Sequence, residues 1–422
     1  MRVALSGLTT RGRCLLAAGV ALAACAVMLG QRDLLRAAAF LMGLPLAAVF
    51  VVARTRYRLA CSRLLDPPRV EAGRPSTVRL RIDNVSKVPS GVLLMEDALP
   101  YVLGGRPRFV LDRVEPKGVR EVSYPVRADV RGRYQVGPLS VRLTDPFGLV
   151  ELTRSFASTD ELIVTPVVSP LPSIRLGGDW TGGGDTTARS VAVSGSDDAA
   201  TREYRHGDDL RKVHWRSTAR VGELMVRREE QPFQSRATIL LDSRTVGHRG
   251  DGPGSSFEWA VSAVASIAVS LGASGYGLRV LLDTGIDLVP AGVPTTDGTV
   301  LDALAGVQPS RSESLDAATD QLRRGGIDGV LVAVVGQITA DDAERLARLR
   351  HGAAACIAVL VDTETWAPSG PRRREEARAA YDRTVALLGA AGWRVLTVRH
   401  GTTLATVWPL AAVVTARSET AV

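Results

Sequence analysis

His206, Asp208, Asp209 and His214 fall within nine residues of one another, the types and spacing from which an acid-base pair or a metal site is built. They sit in the stretch from Arg202 to Gln231, which packs eight Arg or Lys, six Asp or Glu, two of the five His and one Trp into thirty residues. No second cluster of ligands follows at a metal-binding spacing, and His214, at a helical offset from Leu210, also fits a packed side chain. A hydrolase using His206, Asp208 and His214 is therefore the alternative reading. The first is that the charges form an ion-pair network or a partner-binding surface. Acids nearly balance bases here, so the attraction of a nucleic-acid backbone would be largely cancelled, and no nucleic-acid partner is expected.

A second group of carboxylates closes apolar runs: Asp242, Asp283 and Asp362 each follow a strand-like segment. Asp242-Ser243 begins like D-x-S-x-S, in which one carboxylate and two hydroxyls hold Mg²⁺. The hydroxyl positions are Arg244 and Val246, so Asp242 is a degenerate metal candidate, and a turn or cap residue is the plainer reading. No cofactor is expected. The chain contains no GxSxG, HExxH, GxxxxGK[ST] or CxxC. Its cysteines, Cys14, Cys25, Cys61 and Cys356, are too scattered for a disulfide framework or a zinc site.

The elements that must position these groups follow from patterning. In the charged stretch, Asp208 and Asp209 ahead of Leu210, Val213 and Ser217 suggest a short capped helix. Arg211 and Trp215, one turn apart, would let a guanidinium stack on the indole while pairing with Asp208. Leu224 and Val226 against Met225 and Arg227 give the period of a half-buried strand.

After this stretch, strands at 237–242, 278–283, 329–336, 354–362 and 393–399 alternate with helices at 256–273, 314–324, 340–350 and 374–392. The alternation predicts an open, largely parallel α/β sheet with helices on both faces. Before it, 167–200 reads as a linker rich in Gly, Ser, Thr and Asp. Residues 67–166 carry short alternating segments (77–82, 92–95, 109–114, 120–128 and 139–143) that predict an antiparallel β-sandwich-like domain, with no acid-base constellation in it.

The N-terminus is a basic tail over 1–13 and then a transmembrane hairpin over 14–58, with helices at about 14–30 and 34–53. Arg2, Arg11 and Arg13 before the first run, and Arg54, Arg56, Arg58 and Arg63 after the second, put both termini in the cytoplasm by the positive-inside rule. Leu22-Ala23-Ala24-Cys25 fits a lipoprotein box, but the apolar run continues past Cys25 and a second run follows, which favours an uncleaved hairpin in the cell membrane. The formal charge of +8, with 45% hydrophobic and 23% charged residues, suits a folded protein with a basic membrane-facing end.

Arg202, Tyr204, Gly207, Asp208, Arg211, Trp215, Ala219 and Arg220 resemble the signature of the domain of unknown function 58 family. A second run resembles that family's upstream segment: Arg131, Gly132, Tyr134, Gly137, Pro138 and Asp145 to Leu149. The resemblance implies a multidomain chain whose 201–416 segment joins the signature to a von Willebrand A-like α/β domain. It also implies a bacterial, membrane-anchored, non-enzymatic scaffold that partners a MoxR-type AAA+ ATPase in assembling or activating cell-envelope complexes. Arg202, Tyr204, Gly207, Asp208, Arg211, Trp215 and Arg220 are then its binding residues, and the partners are that ATPase and the lipid bilayer.

Overall fold

A computed structural model describes residues 7–54, 59–87, 89–90, 92–112, 114–144, 147–174, 201–204, 213, 215–227, 236–290, 297–327, 329–352 and 355–412. Two apolar helices come first, α1 (Thr10–Leu29) and α2 (Arg32–Arg54). Thr9 caps α1 by accepting the Gly12 amide at 3.2 Å, and Gly30 ends it in the left-handed region with φ 65°. Gly19 lets the two helices approach: a Cβ there would lie 2.5 Å from Met42 Cγ. Both helices are long and apolar enough to cross a membrane.

A β-rich region follows: β1 (Leu59–Asp66), β2 (Arg69–Glu71), β3 (Pro75–Asn84), β4 (Leu93–Asp97), β5 (Arg108–Leu111), β6 (Val119–Arg127), β7 (Gly132–Val136), β8 (Leu139–Thr144), β9 (Glu151–Phe156) and β10 (Asp160–Thr165). They form sheets β1-β3-β6, β2-β10-β7 and β5-β4-β8-β9, antiparallel except for the β2–β10 pair. Strand alternation turns Val78, Leu80 and Ile82 of β3 inward with Leu93, Met95, Val141 and Leu162, so the three sheets share one core. This region starts at Leu59, ahead of the expected 67, and Arg63 is not a membrane-flanking charge. It lies buried in β1.

The remaining elements are β11 (Thr201–Glu203), α3 (Trp215–Val221), β12 (Met225–Arg227), β13 (Arg236–Leu241), α4 (Ser256–Ala273), β14 (Gly277–Leu282), β15 (Asp287–Val289), α5 (Asp297–Ala305), α6 (Asp316–Gly325), β16 (Val330–Val335), α7 (Ala340–Arg348), β17 (Ala355–Val361), α8 (Pro371–Ala390), β18 (Arg394–Val398) and α9 (Leu404–Val407). Six strands make one sheet in the order β15-β14-β13-β16-β17-β18, parallel except at the edge strand β15. Every residue of β16 and β17 is buried, as the continuous Val/Ile/Leu/Ala runs require of strands covered on both faces. α4 is as apolar as a spanning helix, but most of it is buried within the protein.

Contacts divide the chain into two compact units. The first holds residues 1–170 with 243–266 and 296–311, and the second holds 171–242, 267–295 and 312–422. The expected division, a β domain over 67–166 and an α/β domain over 201–416, assigns 243–266 and 296–311 differently.

Candidate functional site

In the charged stretch, β11 and β12 pair antiparallel, with Arg202 opposite Val226 and Glu203 opposite Met225. The Tyr204 amide extends the pairing by donating to Leu224 O at 2.8 Å. α3 is tied to β12 through Thr218, whose hydroxyl accepts the Met225 amide at 3.0 Å and whose carbonyl accepts the Gly222 amide at 2.9 Å. Gly222, at φ 82°, makes the reversal that an L side chain would resist. The helix is short, and its partners are local.

Val213 is buried, whereas Trp215 is 70% exposed. Ala219 lies one turn on from Trp215, and Ala219, Arg220, Val221 and Leu224 are exposed as well. Trp215 and Ala219 share one face of the helix, and an indole this exposed is unusual because tryptophan normally loses most of its surface on folding. Arg202 is in β11 and Tyr204 directly follows it, while Trp215 and Arg220 are on α3. Gly207, Asp208 and Arg211, and with them the Arg211–Trp215–Asp208 clamp and the His206/Asp208/His214 cluster, lie outside the described residues.

The second candidate is at the carboxyl ends of the sheet. The chain runs from β13 to β14 on one side and then returns to β16 on the other, so the strand order reverses between β13 and β16. Open α/β sheets bind ligands at such a reversal. Asp242 closes β13 there. It is completely buried; its amide donates to Val334 O at 3.0 Å, and its Oδ2 accepts the Gly336 amide at 3.4 Å. Asp283, after β14, is equally buried and donates its amide to Leu241 O at 3.1 Å.

The donor set does not suit Mg²⁺. At the two positions where hydroxyls would complete the site stand Arg244, a buried guanidinium, and Val246, a 63% exposed isopropyl group. Neither can donate a lone pair to a cation. Among the described residues no three His, Cys, Asp or Glu cluster as metal ligands do. Asp362, after β17, faces Arg399 at 3.6 Å; burial pushes its carboxyl up, against the pull of Arg399 and Arg378.

Two polar nodes have no counterpart in the expectations. In the β-rich region the buried Arg63 donates to Asp97 at 2.7 Å and to Asp160 at 3.1 Å, and the Tyr124 hydroxyl donates to Asp97 at 2.5 Å. Burial, then the Asp97 carboxylate, push the Tyr124 phenol up, which keeps it a donor. The node pairs its groups with one another, and Arg63 and Asp97 are buried while Asp160 is partly exposed, so it reads as structural.

The other node is Arg131. Its side chain is 3% exposed, pairs with Glu258, donates to Leu304 O at 3.1 Å and Val307 O at 2.6 Å, and lies 4.9 Å from the Phe257 ring centre. Its partners are distant in sequence, and the only sequence signal for it is its place in the upstream run resembling the family.

A curated relative, an uncharacterized protein named YeaD from Bacillus subtilis (strain 168), is 28% identical over 222 residues, or 51% of this chain. The chain spans about half of that relative's length, 54%. Among solved structures, the CARDB domain of the PF1109 protein from Pyrococcus furiosus is 12% identical over 26% of this chain and 93% of its own, with a TM-score of 0.20. The putative ApaA protein from Bordetella pertussis is 12% identical over 26% of this chain and 94% of its own, with a TM-score of 0.21. Residues 200–367, which hold α3, Asp242 and most of the six-stranded sheet, match the family described as protein of unknown function DUF58.

Proposed function

We propose that this protein is a membrane-held, non-enzymatic scaffold or adaptor that docks a MoxR-type AAA+ ATPase through the segment around α3. The observation that carries the reading is the exposed indole of Trp215, on a helix that also exposes Arg220 and Val221, inside the family-matched residues. Trp and Arg dominate binding energy at protein interfaces because they offer large, stiff contact surfaces with a polar handle. Leaving that surface in water forgoes burial worth roughly 25 cal/mol per Å² of apolar area. A partner recovers it.

In this reading the hairpin of α1 and α2 fixes the chain in the cell membrane with both termini cytoplasmic, the β-rich region is a sandwich-like spacer, and the C-terminal sheet is a von Willebrand A-like recognition platform. Its switch-point carboxylates, Asp242 and Asp283, are structural anchors and not metal ligands.

A photoreactive phenylalanine analogue at the exposed Ala219 tests the docking site in native membranes. The expected product is a covalent adduct with an AAA+ ATPase, identified by mass spectrometry. Exclusively intrachain adducts at that position would overturn the assignment.

A further inference from the structure

A loop of the β-rich region grips the membrane hairpin. The Thr9 amide donates to Leu149 O at 2.9 Å, the Thr9 hydroxyl to Gly148 O at 2.7 Å, and the Glu151 amide to Gly7 O at 2.7 Å. Leu8 forms an antiparallel bridge with Val150. Leu8, Val49, Leu149 and Val150 are buried together, with Leu15 and Leu44 against them, so the loop touches both helices. Gly12 is required for this fit, because a Cβ there would lie 2.4 Å from Leu149 O.

The depth of the loop follows from helix length. At about 1.5 Å per residue, the 20 residues of α1 reach about 30 Å, the full thickness of a bilayer's hydrocarbon core. The first turn of α1 must then lie at the boundary of that core. Val49 is five residues before Arg54, so it lies about 7.5 Å along the axis from the end of α2. Leu149 and Val150, packed on Val49 and beside Gly12, are therefore held at the level where headgroups meet acyl chains. Phe147, two residues earlier, is 64% exposed, and Phe50, one residue after Val49, is 60% exposed. Arg11 and Arg13 are exposed on the first turn of α1, at the height of lipid phosphates.

We propose that Phe147 is an interfacial anchor: its ring inserts into the headgroup–acyl boundary of the phospholipid bilayer that the hairpin spans. This rests on the membrane reading above. The β-rich region is thereby attached to the membrane at a third place and held at a fixed angle to it.

The test uses the full chain reconstituted into phospholipid vesicles, with Phe147→Trp, Val20→Trp and Val110→Trp variants compared with wild type by difference fluorescence. Val20 is exposed in mid α1 and Val110 is exposed on β5. Lipids brominated near the headgroup should remove most of the fluorescence added at 147, lipids brominated deep in the chains should quench 20 more strongly, and neither should affect 110. An unquenched 147 beside a quenched 20 would overturn the anchor and leave the hairpin standing. If neither is quenched, the hairpin reading falls together with the anchor.

Discussion

Ion pairs in this chain differ in worth by their burial. Arg36 and Asp33 on α2 lie 2.9 Å apart but are 80% and 87% exposed, a setting in which a pair contributes almost nothing. Arg131 is the opposite case: buried, paired with Glu258, bound to two carbonyls and stacked near Phe257. Arg131→Ala strands a largely buried carboxylate and two carbonyl oxygens, and should cost about 3–5 kcal/mol. Chemical denaturation of the detergent-solubilised chain measures it, with Asp33→Asn, expected to be silent, as the reference. Arg131→Lys should recover only part of the loss, since an ammonium lacks the fork that reaches both Leu304 O and Val307 O. An Arg131→Ala variant as stable as Asp33→Asn would show that the node carries no stability.

At the scale of elements, the parallel sheet depends on tight entries into its strands. Gly329 precedes β16 at φ 84°, and a Cβ there would lie 2.2 Å from Arg236 O. Gly329→Ala must move backbone in two adjacent strands, and should cost more than about 2 kcal/mol, with the loss read as a lower unfolding midpoint. Gly370 has open space around it, so Gly370→Ala is expected to change little. The parallel strands were legible because their apolar residues dominate, most plainly in β16 and β17, which are buried on both faces and read as unbroken apolar runs. β15 was not, being three residues on an edge. β1 was missed because Arg63 looked like a membrane-flanking charge; its partners Asp97 and Asp160 lie 34 and 97 residues away, and no local pattern joins them. For the same reason the partners of Arg131, whose two carbonyls are more than 170 residues distant, could not be read, although Arg131 itself stands in the run that resembles the family. Of the candidate site, Asp242 was legible as a carboxylate ending an apolar run, and Trp215 as a signature residue. Its exposure was not, since an indole beside Val213 in sequence reads equally well as core.

The whole molecule carries both a helical pair and an exposed tryptophan. The helices fit the membrane by length and composition, and the exposed Trp215 fits a protein partner by residue type and exposure. Among the described residues, Trp215 and Arg220 make no side-chain hydrogen bond, ion pair or ring contact, so replacing both should alter stability by no more than about 0.5 kcal/mol while removing the docking energy. The decisive measurement is the binding isotherm of a purified MoxR-type AAA+ ATPase to the full chain in lipid nanodiscs, for wild type and for Trp215→Ala/Arg220→Ala. Saturable binding to wild type is expected, with a loss of at least about 2 kcal/mol, some thirtyfold in Kd, in the equally stable double variant. Equal affinity of the two, or no binding to wild type, would contradict the docking site.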